Sequence, residues 1–128
     1  MEFKNNKPIF LQIAEHICYE ILGGIYPEGE RMPSVREYAA EAEVNANTIV
    51  RSFDWLSQKD IIASRRGMGY YVSLGATERI RQNLREAFFG ETLPEFVQQM
   101  QKLGISIDEV ENALQTCTET NKAVPLQQ

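Results

Sequence analysis

Long apolar runs, metal-ligating side chains and a surplus of positive charge are all missing from this 128-residue chain. No stretch approaches the ~18 apolar residues that a membrane helix requires, and no basic-then-apolar leader opens the sequence. A soluble, cytoplasmic protein without membrane contact is therefore expected. Histidine occurs once, at His16, and cysteine twice, at Cys18 and Cys117, neither in a CxxC pair. Those are too few ligands of that kind for a metal site, and no cofactor is expected. Both cysteines read as small apolar packing residues. His16 and Cys18, two positions apart on a helix, face different sides and cannot form a thiol–imidazole nucleophile. Asp54 and Glu37 have no partner acid that spacing would bring near, so no enzyme is expected.

Thirteen basic residues stand against eighteen acidic ones, a net charge of -5. The distribution matters more than the total. Between residues 31 and 72 the basic residues Arg31, Arg36, Arg51, Lys59, Arg65 and Arg66 outnumber Glu37, Glu41, Glu43, Asp54 and Asp60 by one, and the remainder carries -6. A polyanion would have to meet the middle of the chain. The length suits one domain, or a small domain with an appendage, and is enough to bury roughly two-thirds of the unfolded surface.

Ile9, Ile13, Ile17 and Ile21, with Phe10 and Ala14 beside them, form the stripe of an amphipathic helix over 8–22, opened near Pro8 and stopped by Gly23-Gly24. A turn-rich stretch follows, with Arg31-Met32 as a very short strand. Ser34 and Glu37 make a capping box for a short helix to about Ala42, with Val35, Tyr38 and Ala39 inward. After the turn Glu43-Val44, Asn45 caps a third helix to about Lys59, with Ile49, Phe53 and Leu56 inward and Asn47, Arg51, Asp54 and Gln58 outward. Two short helices so close together, the second with a polar outer face, form the helix-turn-helix pattern. Trp55 neighbours Leu56 and is expected against the wing or the first helix. Ile61–Ser64 and Tyr70–Ser73 read as strands joined by 65–69, with Tyr70 and Tyr71 on opposite faces. The fold class is mainly α with a small β-wing: a winged helix-turn-helix over 1–74, then a helical tail over 75–119 and a frayed end over 120–128.

In the tail, Ile80, Leu84, Ala87 and Phe88 share one stripe. Thr92-Leu93-Pro94-Glu95 reads as a capping box before Phe96, Val97, Met100 and Leu103, and Ser106–Glu109 as another before Val110, Leu114 and Cys117. So few residues make a thin core alone. Ile80, Leu84, Phe88, Phe96, Val97, Met100, Leu103, Val110 and Leu114 are expected to bury against a second copy, giving a two-fold dimer. Folding back on the chain's own head is the alternative.

GGIYPEGERMPSVREYAAEAEVNANTIVRSFDWLSQKDIIASRRGMGYYV resembles the winged-helix head of the bacterial GntR family of transcription regulators. The family pattern combines a PG-x-x-[LM]PS-x-R-E-x-A run, a V-x-x-x-T helix start and a G-x-G-x-[FY]-V wing. KPIFLQIAEHI and the short tail resemble its YtrA-type branch. The resemblance implies a homodimeric regulator, a repressor by preference, on a palindromic double-stranded DNA operator. It also implies a small-molecule effector of unidentified class. Family members often carry arginines at Ala46 and Val50 and a glycine at Glu43, so base contacts at 46 and 50 do not transfer.

The recognition helix follows from side-chain chemistry as well. Asn suits the adenine edge, and the Arg fork suits guanine or phosphate; Asn45, Asn47, Thr48 and Arg51 occupy the first two turns. Asn45 alone could be purely a cap, and Thr48 could bond phosphate or complete the helix start. Arg36, a DNA contact by the resemblance, sits near a helix N-terminus that favours phosphate, with Ser34 a cap first and a donor second. Its plain alternative is a salt bridge to Glu37 or Glu41. Arg65, Arg66 and Gly67 form the wing tip, which the resemblance implies enters or flanks the minor groove; a charged hairpin tip is also what solubility alone asks for, and Gly67 and Gly69 serve turn geometry. The rival reading is a winged-helix protein–protein module that never touches DNA.

Overall fold

A computed structural model describes residues 2–3 and 6–121. The chain divides into two compact units, Met1–Gln82 and Asn83–Gln128. The first holds α1 (Ile9–Leu22), α2 (Val35–Ala42), α3 (Ala46–Gln58), β1 (Ile62–Arg65) and β2 (Gly69–Val72), and α4 (Ala76–Ala87) begins in it. This is the expected arrangement, mainly α with a small β-wing.

Local signals place these elements. The Glu37 amide donates to Ser34 Oγ at 3.1 Å and the Ser34 amide to Glu37 Oε1 at 3.0 Å, which completes the capping box of α2. That backbone donor holds the Glu37 carboxyl below the usual carboxylate range. α2 ends on Glu43 in the left-handed region, φ 57° and ψ 45°, a conformation in which a side chain crowds its own carbonyl. Asn45 then caps α3, its Oδ1 accepting from the Asn47 amide at 2.8 Å.

Packing does the rest. Ile13 and Ile17 of α1 and Ile49, Phe53 and Leu56 of α3 are wholly buried. The Phe53 ring meets Tyr38 and Tyr70 edge-on, at centroid distances of 6.2 and 5.0 Å. Ser52, also buried, donates its hydroxyl to the Phe10 carbonyl at 2.7 Å and so ties α3 to the start of α1. Tyr38 reaches back to α1, donating to Glu20 Oε1 at 2.7 Å. β1 and β2 pair antiparallel from Ile62 opposite Val72 to Arg65 opposite Gly69. Arg31 bridges to Tyr71 on the other side of β2, where the short strand at 31–32 was expected.

The start of α4 belongs to this core. Ala76 and Ile80 are buried, and the Glu28 carboxylate accepts from the Gly75 and Thr77 amides at 2.8 and 2.9 Å, capping α4 from 47 residues away. Arg79 Nη1 donates to the carbonyls of Asp60 and Leu74 at 2.9 and 3.1 Å. Ile80 therefore corrects the expectation for the tail. It is 1% exposed in a single chain, enclosed in the core of the head, and unavailable to a second copy.

The second unit contains the rest of α4, a π-helical turn (Phe88–Thr92), α5 (Leu93–Leu103) and α6 (Ile107–Asn121). Ser106 and Glu109 form the expected capping box, at 2.9 and 3.2 Å. The box at Thr92 does not form. Thr92 keeps helical angles, φ -64° and ψ -48°, and its side chain caps nothing, because the chain stays helical through the π turn instead of breaking. Cys18 is buried, and burial pushes its thiol up to about 12, with Glu15 adding to the effect. Cys117 is exposed, contrary to the packing role expected for it. The end expected to fray lies, from residue 122 on, outside the described residues. No helix among the described residues is long and apolar enough to cross a membrane.

Candidate nucleic-acid interface

All nine residues singled out for DNA contact lie in the first unit. On α3, Asn47 and Arg51 stand one helical turn apart, both exposed, with Thr48 half-buried between them. Asn45 is exposed as well; its Oδ1 accepts from the Asn47 amide, and its amide donors stay available to a partner. Ser34 is similar: its oxygen accepts from Glu37, and its hydroxyl proton remains available. Arg36 is exposed in the first turn of α2.

The wing differs from expectation in detail. Arg65 is the last residue of β1, paired with Gly69, and its guanidinium lies over the Tyr71 ring at 3.9 Å. Arg66, Gly67 and Met68 alone form the turn, all exposed. Gly67 has φ +73° with open space where a Cβ would be, so backbone conformation is what calls for glycine there. Arg66 is thus the basic residue at the tip, and Arg65 sits one step behind it on an aromatic support.

Arg36, Arg51, Arg65 and Arg66 form no ion pair with any carboxylate among the described residues. The Glu37 carboxylate, the nearest candidate for Arg36 in sequence, is turned to the Ser34 amide. Four guanidinium groups thus stay uncommitted to carboxylates in a protein with a net charge of -5. Such groups are suited to phosphate and to the guanine edge.

Arg31 was counted in the charge of this region but not assigned to the interface. A Cβ at Gly69 would lie 3.3 Å from Arg31 Nε, so this exposed arginine lies along the wing. Its position depends on the bridge to Tyr71, which no local spacing reveals. Trp55 is half-buried and shares a surface cleft with Phe10, Arg51, Asp54 and Gln58, which places it beside α1.

A two-helix reader followed by a paired hairpin defines a winged helix-turn-helix protein. Residues 10–72 match the model of the gntR family of bacterial regulatory proteins. The chain is 36% identical to the HTH-type transcriptional regulator YhcF of Bacillus subtilis over 92% of its own length and 96% of the relative's. It is 36% identical to the transcriptional repressor YtrA of the same organism over 57% of its length and 56% of that protein's. A crystal structure of a GntR-family regulator from Bacteroides thetaiotaomicron superposes with a TM-score of 0.75 at 42% identity, covering 88% of this chain and 99% of the other. The chain belongs to the GntR family and is a transcription regulator with a DNA-binding helix-turn-helix.

Proposed function

We propose that the protein acts as a homodimeric repressor on a palindromic operator, with α3 in the major groove and the turn at 66–68 at the minor groove. The observation that carries this reading is the exposed Asn47–Arg51 face, with no carboxylate paired to Arg51 among the described residues, accompanied by Arg65 and Arg66 on the wing. Ser34 and Arg36 would meet phosphates, and Asn45 and Thr48 would support the start of the reading helix. The repressor role follows the similarity to YtrA, itself a repressor.

The homodimer rests on the second unit. Phe88, Phe96, Val97, Leu103 and Leu114 are between 40% and 72% exposed, and Leu84, Met100 and Val110 are half-buried. Apolar stripes of that kind are stable in water when a matching surface covers them, and a second copy supplies one by symmetry. A two-fold dimer presents two copies of α3 to half-sites separated by whole turns of the duplex.

Selection of fragments from random DNA by the full chain tests binding, symmetry and half-site spacing together. On a selected duplex, log K should fall with log salt by about 0.9 per phosphate neutralised. Arg51→Ala and Arg66→Ala should each weaken binding about tenfold, the range for one lost base or phosphate contact, with the melting midpoint nearly unchanged. No enrichment of any sequence, or binding indifferent to salt and to both substitutions, would favour a protein–protein module, the reading that suits the net acidic charge.

A further inference from the structure

Arg51 is exposed, yet it is not free to wander. Its Cζ stands 4.4 Å from the centroid of the Phe10 ring, across a gap of 41 residues in sequence. Phe10 is itself fixed. It lies in the first turn of α1, and its carbonyl accepts the hydroxyl of Ser52, the residue that follows Arg51. Side chain and support are thus anchored to each other through adjacent positions of α3. Asp54, three residues on from Arg51, lines the same cleft of about 250 Å³ but forms no ion pair with it among the described residues.

A guanidinium laid on a ring uses one face of its plane and keeps its N–H donors directed outward along the edges. Those edges are what a guanine or a phosphate engages. An unsupported arginine must give up its rotamer freedom at the moment of binding, whereas one already stacked has lost much of it in the free protein. The wing repeats the arrangement with Arg65 over Tyr71 at 3.9 Å.

The geometry points to Phe10 as a positioning residue for DNA recognition: it holds the Arg51 guanidinium in place, ready for the duplex. This rests on the DNA-binding reading above and adds to it a residue of α1, outside the helix-turn-helix.

The test is fluorescence anisotropy of the full chain on a duplex selected by the wild-type protein, with melting followed in parallel. Phe10→Leu keeps an apolar side chain and removes the ring. It should weaken binding about two- to five-fold, the worth of an exposed cation–ring contact. Phe10→Tyr should bind as wild type does. In an Arg51→Ala background, Phe10→Leu should have no further effect, a coupling that a purely structural role for the ring would not produce. If Phe10→Leu lowers the melting midpoint into the assay range, Phe10→Met replaces it in the same cycle. Additive losses in the double variant, or a loss on Arg51→Ala with none on Phe10→Leu, would overturn the positioning role and leave DNA binding intact. If the wild-type chain selects no duplex at all, the DNA-binding reading falls and the role of Phe10 falls with it.

Discussion

The two units are built from the same kind of helix and treat their apolar residues in opposite ways. In Met1–Gln82 the stripes of α1 and α3 meet, and Ile13, Ile17, Ile49, Phe53 and Leu56 are fully buried. In Asn83–Gln128 the stripes are just as regular, but Phe89 is 58% exposed, Leu103 72% and Leu114 56%. An amphipathic helix states which of its faces is apolar and not what will cover it. The head contains its own covering elements: three helices, a hairpin and the bridge at Arg31. Among the described residues of the tail the apolar stripes stay largely exposed within their own unit, and under the dimer reading proposed above a second copy covers them.

Ile80 and Leu84 give the sharpest version of this contrast, since they lie one turn apart on α4 and on either side of the boundary at Gln82. Ile80→Ala should destabilise the head by about 2–5 kcal/mol, the range for an emptied core site. Leu84→Ala should cost about 1 kcal/mol or less in the same denaturant titration, because the residue is only half-buried. Equal losses at the two positions would mean that the head extends further along α4 than the division at Gln82 implies.

A second experiment separates folding from assembly. The paired change Phe96→Ser and Leu114→Ser should convert a dimer into a monomer by sedimentation velocity. The unfolding free energy of the head should then change by no more than the roughly 0.5 kcal/mol typical of exposed sites. A monomeric wild-type chain would show that the exposed stripes serve something other than self-association.

What was legible in the sequence was whatever neighbouring residues decide among themselves. The capping boxes at Ser34 and Ser106 and the cap at Asn45 each require groups within three positions, and all three form. The box at Thr92 satisfies the same spacing and fails, since capping also needs an extended backbone and the chain stays helical there. Ile80 had the right period and the wrong partner, because periodicity cannot say which layer a helix faces. The stack of Phe10 on Arg51 and the capping of α4 by Glu28 join residues more than forty positions apart, and no local pattern encodes either. The reading surface itself, Asn47 to Arg51, was visible because one helix presents it.

Glu43 gives a smaller test, confined to the head. It ends α2 with φ 57°, a conformation that costs a non-glycine residue roughly 1–2 kcal/mol, part of which glycine would return through the greater freedom of the unfolded chain. Glu43→Gly should therefore raise stability by up to about 1 kcal/mol while leaving DNA affinity unchanged. A loss of stability would show that the glutamate side chain makes a contribution larger than the strain of its backbone.

The smallest effect is expected at the junction where the head passes into α4. The amides of Gly75 and Thr77 donate to the Glu28 carboxylate, and they hold its titration below the ordinary carboxylate range. A carboxylate whose folded value is depressed contributes stability above its unfolded value, about 4.3, and that contribution disappears as the pH falls through the folded value. The melting midpoint of the head should accordingly drop on acidification from about pH 5 to about pH 3, with Glu37 acting in the same direction at the start of α2. Glu28→Gln keeps an oxygen for one of the two amides, replaces the acceptor of the other by an NH2 group, and has no proton to bind in this interval. Its midpoint should start slightly lower at neutral pH and fall less steeply on acidification. A slope identical to that of the wild type would mean that the charge on Glu28 does nothing for α4, and that burial of Ala76 and Ile80 alone holds the start of that helix in the head.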